Sequence, residues 1–158
     1  MDKQQAAFIA GGAVITANLA GAASVLHRPR NAVWYISLRK PDLTPPGPVI
    51  GAVWTALDVL LAISGTRLLG APPNPARAAA LGCWSLCVAG IAGFPWVFFE
   101  RKRLDASTAV SVAMFASSAA YVATAARVDR PAAAMGVPLV VWLGLATLLS
   151  GGLWRRNR

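Results

Sequence analysis

The chain has 158 residues, 56% of them apolar and only 13% charged, with a formal net charge of +9. A water-soluble domain carries about 25% charged residues, so half that share under a positive mean hydropathy excludes an ordinary soluble fold and points to a surface that faces lipid. The positive charge does not point to nucleic acid: the basic residues cluster at the ends of apolar runs, where lipid phosphates account for them, and no basic stripe with interleaved aromatics occurs.

A hydrocarbon core of roughly 30 Å needs about 20 apolar residues per helix. Five runs reach that length, at about 6–26, 48–69, 78–99, 107–126 and 132–154, each bounded by charges or prolines. Backbone groups in lipid must be satisfied within the membrane structure itself, and the alternation of a membrane barrel is absent, so the runs are read as helices. The expected fold is an all-α integral membrane bundle of five transmembrane helices, a single domain over 1–158 with a Pro-rich loop at 27–47.

The first run, with Lys3 ahead of it and small residues around 20–23, also resembles a secretory signal. Its length, and the polar Thr16 and Asn18 suited to contacts between packed helices, favour a span.

After it comes "WYISLRKPDLTPPGPVIGAVW", residues 34–54. Pro41, Pro45, Pro46 and Pro48 cannot share one regular helix, because each lacks an amide proton and restricts the residue before it. A stiff, extended loop is expected, with Pro48 in the first turn of the second helix. Trp34 and Tyr35 suit the membrane interface. A rigid loop of this length among short connections is often a cap over a cavity, a plain interfacial anchor being the alternative.

In the second span Gly47 and Gly51 stand four apart, and Asp58 is the only ionisable residue well inside any span. A carboxylate at mid-membrane costs at least about 2.5 kcal/mol even on insertion scales, so it should face the interior with a partner or carry a proton. It lies one turn beyond Trp54 on the same face. Two readings stay open: a cavity wall in which Asp58 meets a cationic or hydrogen-bonding part of a ligand, or a structural bond to Asn18 or to a serine or threonine of another helix.

The third span carries a small-residue stripe, Ser85, Ala89 and Gly93, that allows close helix contact within one chain or between two. Cys83 and Cys87 lie four apart on one face and read as small buried residues; with His27 far away in a loop, neither a disulfide framework nor a zinc site follows. Phe94, Phe98 and Phe99 close the run, and Pro95 should kink it or free a carbonyl. In the fifth span Trp142, Ala146, Leu149 and Ser150 recur at three to four residue steps, either as ordinary helix packing or as a flat ring beside a slot for a planar ligand.

No hydrolytic or redox constellation can be assembled from one histidine, no phosphate loop and no paired carboxylates on one helix face. Orientation follows from basic residues. Arg28, Arg30, Arg39, Lys40, Arg101, Lys102, Arg103, Arg155, Arg156 and Arg158 fall on one side, and Lys3, Arg67, Arg77, Arg127 and Arg130 on the other. Ten against five places the N-terminus outside and the C-terminus and Pro-rich loop in the cytoplasm. Twelve arginines to three lysines suggest a GC-rich bacterial genome and hence a plasma membrane.

The order Trp34-Tyr35, Leu38, Lys40-Pro41, Pro45-Pro46 and Trp54 resembles the signature of the TspO/MBR family, the tryptophan-rich sensory proteins related to the mitochondrial translocator protein. "FPWVFF" at 94–99 resembles the end of that family's third helix. "VPLVVWLGLATLLSGGLWRRN" at 137–157 resembles its fifth, with Pro138, Trp142 and Trp154-Arg155-Arg156-Asn157. The resemblance covers nearly the whole chain.

It implies five transmembrane helices, a homodimer through the third, and a cavity under the first loop that binds porphyrins, sterols or benzodiazepine-type ligands, a porphyrin or haem precursor being a ligand rather than a fixed cofactor. The residues implied at that site are Trp34, Tyr35, Arg39, Lys40, Pro45, Pro46, Trp54, Asp58, Phe94, Phe98, Trp142, Ala146, Leu149 and Ser150. Regulatory or transport-type output is implied. A light-dependent breakdown of porphyrin at Trp54 and Trp142 is the enzymatic alternative, and a small exporter coupled to protons through Asp58 is another. The chain departs from the family pattern at Asp58, where an aromatic is common, at Ile91 for Asn, at Leu139 for Tyr and at Ser150 for Asn.

Overall fold

A computed structural model describes residues 2–26 and 29–158, and every regular element among them is helical. The chain runs through α1 (Lys3–Leu26), α2 (Pro29–Ser37), α3 (Gly47–Gly70), α4 (Pro75–Pro95), a π-helical turn (Trp96–Glu100), α5 (Leu104–Ala125) and α6 (Arg130–Arg156). Five of these, α1, α3, α4 with its π turn, α5 and α6, are long and apolar enough to cross a membrane. The expected five-helix membrane bundle is the fold. His27, taken as a lone loop histidine, and Arg28, counted among the basic loop residues, lie outside the described residues.

The long helices close into a ring in the order α1, α3, α6, α5, α4, and back to α1. Lipid tails are as apolar as leucine, so association rests on close packing rather than on burial from water. Two of the helices accordingly turn small residues inward: Ala6, Ala10, Val14 and Ala17 on α1, and Ala132, Ala133 and Gly136 on α6. Proline at the first turn opens α3, α4 and α6, where its missing amide proton costs nothing.

The expected loop over 27–47 needs correction, because Pro29–Ser37 is a helix. The physical reason lies in where the prolines fall. Pro29 is tolerated in a first helical turn, and no further proline follows until Pro41. Only beyond Ser37, with Lys40 held out of helical geometry by Pro41, does the chain leave the helix and run to Gly47 with one turn at 42–43.

Pro95 has the effect expected of it. Just beyond it the helix widens into the π turn, whose closing bond runs from Arg101 N to Trp96 O at 3.1 Å. Without a proton on Pro95, the Ile91 carbonyl loses its helical partner, and α1 passes close by it at Gly21. A Cβ there would lie 3.0 Å from Ile91 O and 3.1 Å from Pro95 Cγ.

The two ends of the ring differ. At the end where α3 runs into α4 and α5 into α6, the interior is filled. Tyr121 is fully buried, and its hydroxyl bonds to Ser64 Oγ and to Ala132 O at 3.2 Å. Ser64 Oγ donates to Ala132 O at 2.9 Å, and Trp84 Nε1 to Leu61 O at 2.9 Å. Arg77 covers the last carbonyls of α3, with bonds of 2.8 Å to Leu68 O and Leu69 O. At the opposite end, α3 has no buried residue before Leu57. That looser end holds α2 and the extended segment.

Candidate functional site at the capped end of the bundle

Trp54 and Asp58 sit one turn apart on α3, both half-buried, as the four-residue spacing requires. Trp54 packs against the core together with Trp142 of the neighbouring α6 and Phe94 of α4. Two buried polar side-chain atoms among the described residues have no hydrogen-bond partner: Asp58 Oδ1 and Trp142 Nε1. Leaving such an atom unsatisfied costs about 1–3 kcal/mol, more for a charged group. Both are buried polar atoms that no protein group of this chain satisfies. Asn18 of α1 is the polar side chain that meets Asp58, but one of its two amide hydrogens goes to Val14 O in its own helix, 3.0 Å away.

From Phe94 an aromatic ladder climbs to the capping elements. Phe94 stacks on Phe98 with centroids 5.6 Å apart, and Phe98 meets Phe99 edge-on at 4.8 Å. Trp34 and Tyr35 of α2 pack on these rings at 5.3 Å (Trp34 to Phe98) and 5.9 Å (Tyr35 to Phe99). They face the protein, while Val33 and Ile36 on the same short helix are 69% and 73% exposed. The π turn is what brings Phe98 and Phe99 round to α2, since an extra residue per turn rotates both rings relative to a regular helix.

Lys40 extends the ladder, its ammonium 4.4 Å from the centroid of the Tyr35 ring. Burial raises the Tyr35 phenol above its usual range and keeps it protonated. The Arg39 residue is exposed, while its backbone is gripped from α6: Arg39 N donates to Asn157 Oδ1 at 2.9 Å and Asn157 Nδ2 donates to Arg39 O at 3.1 Å. Pro45 is half-buried and Pro46 exposed at the entry to α3.

In α6, Ala146 and Leu149 are half-buried along the Trp142 face. Ser150 belongs elsewhere. It is buried against α5, with its hydroxyl 3.1 Å from Ser111 Oγ, and serves helix contact. Trp54, Phe94 and Trp142 thus all pack against the core, Trp34, Tyr35, Phe98 and Lys40 join in the aromatic cap, and Ser150 turns instead to α5. Sequence reasoning did not single out Asn157 as a site residue, although an asparagine straight after a helix ending in Trp-Arg-Arg was the available signal.

Among the described residues no three His, Cys, Asp or Glu side chains come together as metal ligands. Cys83 and Cys87 are free thiols in or against the core. A separate recess of about 450 Å³ lies at the α4–α5 corner, lined by Trp96, Val97, Arg101, Arg103 and Ala106. It includes none of Trp54, Phe94 and Trp142. What the capped end offers chemically is aromatic faces, an indole donor and a carboxylate acceptor that protein groups leave open.

Residues 10–155 match the model of the TspO/MBR family. The chain is 30% identical over 139 residues to an uncharacterised membrane protein, YtaB, of Bacillus subtilis, covering 87% of this chain and 88% of that one. It is 29% identical over 124 residues to the tryptophan-rich sensory protein of Cereibacter sphaeroides, with 78% and 77% of the two chains covered. Against the translocator protein of Ovis aries the identity is 28% over 129 residues, covering 79% and 75%. With a family match over residues 10–155 and five helices long and apolar enough to span a membrane, the chain belongs to the TspO/MBR family.

Proposed function

We propose that the protein binds a porphyrin or another flat hydrophobic molecule at the capped end of the bundle, with regulatory or transport-type output. The observation that carries this is the pair of orphaned buried atoms, Asp58 Oδ1 and Trp142 Nε1, among aromatic faces. On this reading a flat apolar ring lies against the indole faces, and polar groups at its edge give Trp142 Nε1 an acceptor and Asp58 Oδ1 a donor. Small-molecule sites have this composition, mostly apolar with a few placed polar groups. The family's sensory and translocator relatives give the reading its direction.

The capped end is the cytoplasmic one in this reading, in a bacterial plasma membrane with the N-terminus outside. That assignment rests on the basic residues Arg39, Lys40, Arg101, Lys102, Arg103, Arg155, Arg156 and Arg158 gathered there. At the opposite end Arg67 pairs with Asp129 at 2.9 Å and Arg77 caps α3, so two of the few basic residues there have local structural duties. The outer face of α4, with Gly82, Ser85 and Ala89 exposed, is the surface proposed for a homodimer.

The test is quenching of tryptophan fluorescence by protoporphyrin IX in detergent-purified protein, with spectra before and after illumination. Saturable quenching that weakens in the Trp54→Phe, Trp142→Phe double variant supports the site. Asp58→Asn should weaken binding by about 1–3 kcal/mol if the carboxylate meets the ligand. Unchanged affinity with poorer stability would make Asp58 a partner of Asn18 alone. Loss of porphyrin absorbance over many turnovers would favour the degrading enzyme over the binder, and no saturable quenching would overturn the reading.

A further inference from the structure

The extended segment 38–46 has little structure of its own. Its one regular feature is a turn in which Thr44 N and Thr44 Oγ1 bond to Pro41 O at 3.0 and 2.7 Å. Prolines 41, 45 and 46 offer no donors, so neither a helix nor a strand ladder can hold the chain here. At one side α2 is fixed to the aromatic end of α4. The other side reaches α6, which is not a neighbour of α4 in the ring. The segment therefore crosses the mouth of the bundle, and what fastens it at α6 decides whether the mouth is closed.

We propose that the end of α6 is a latch for this segment, with Asn157 and Arg156 as the residues that position it over the site; the inference rests on the ligand-binding reading above. Asn157 holds Arg39 as a peptide group would. Its carbonyl oxygen takes the Arg39 amide at 2.9 Å, and its amide nitrogen serves Arg39 O at 3.1 Å. The same nitrogen donates to Leu153 O at 2.8 Å, which fixes the side chain to α6. Arg156 Nη1 donates to Lys40 O at 3.1 Å, and its Nη2 stands 3.6 Å from the Asp42 carboxylate.

Shape supports the same contact. Pro41 lies on α6 at Gly152, where a Cβ would come within 2.7 Å of Pro41 Cγ, so this close seating requires glycine. The bonds are few, lie at the rim, and all fall between Arg39 and Asp42. Proline stiffness passes their effect along the segment, so loosening one end moves the whole cap rather than a single residue. A stiff segment held at the rim by a handful of bonds opens by their release, which makes the end of α6 the control on entry and exit.

Two measurements on the full chain test this. In hydrogen exchange followed by mass spectrometry, Asn157→Ala should speed exchange within 38–46 about tenfold, the effect of losing about 1.4 kcal/mol of hydrogen bonding, while α3 and α5 stay unchanged. In stopped-flow fluorescence with protoporphyrin IX, the variant should raise association and dissociation rates together, with a smaller change in affinity. A merely structural role would not move both rates in the same direction. Gly152→Ala, which props Pro41 off α6 without touching Asn157, should do the same.

Unchanged exchange in 38–46 for both Asn157→Ala and Gly152→Ala overturns the latch. Faster exchange with unaltered porphyrin rates overturns its role as a gate. Failure of the wild type to bind protoporphyrin sinks the functional reading instead, and the exchange comparison then accepts or rejects the latch by itself.

Discussion

Gly65 stands where α3 passes the Trp84 ring of α4, and Gly65→Ala should destabilise the protein even though alanine is the better helix former. A Cβ at this position lies 2.6 Å from Trp84 Cζ2 and 2.7 Å from Cε2. Carbons in contact sit about 3.5–4.0 Å apart, so the indole must withdraw by roughly 1 Å. It is poorly able to do so. The ring is buried and its Nε1 donates to Leu61 O at 2.9 Å. Overpacking a filled core costs about 1–3 kcal/mol, and losing the indole bond adds about 1 kcal/mol.

Alanine returns about 0.5–1 kcal/mol over glycine in a helix interior. The net expectation is a loss of about 1–3 kcal/mol. Gly12→Ala, inside α1 and away from the proposed dimer face, is the control, because nothing lies within 4 Å of a Cβ there and only the propensity gain of about 0.5–1 kcal/mol remains. SDS-induced unfolding from mild micelles, followed by tryptophan fluorescence, reads both variants against the wild type. Equal stability of Gly65→Ala and wild type would refute the tight α3–α4 contact, and so would an equal loss in Gly12→Ala.

The Asp129 carboxyl is held below the usual carboxylate range by its hydrogen bonds with Arg67, and it also accepts from Ala132 N at 2.7 Å at the start of α6. A folded-state pKa that is depressed gives stability that is present above the unfolded value near about 4 and fades as pH falls through the lower folded value. Asp129→Asn keeps the cap and loses the charge. Its deficit of about 1 kcal/mol or less at neutral pH should shrink as pH falls below the unfolded value and through the lower folded one, and a deficit independent of pH in thermal melts would count against the pair. For the proposed dimer, Ala89→Trp on the exposed face of α4 should convert dimer to monomer in light scattering of the micelle complex without lowering the melting temperature. A dimer that persists would remove that face from the interface.

Much of this protein follows from sequence because lipid imposes so few options. Apolar runs of about 20 residues must become helices, and the spacing of Trp54 and Asp58 puts them on one helical face whatever surrounds them. Proline chemistry was equally legible at Pro48, which opens α3, and at Pro95, which precedes the π turn. The same chemistry misled over 29–37, where the prolines further along were allowed to speak for a stretch that contains only Pro29 and folds as α2. Local rules carry that far and no further.

What only the tertiary structure decided is which polar groups find partners. Ser150 and Asp58 both read as polar positions in a helix, yet packing gives Ser150 the Ser111 hydroxyl of α5 and leaves Asp58 Oδ1 without a partner. Asn157 and Arg39 stand 118 residues apart, and no periodicity in either segment relates them. Their pairing exists because the ring order brings the last turn of α6 to the mouth that the proline segment must cross. Periodicity fixes the face of a helix, whereas the neighbour that meets that face is set by how five helices close around one another.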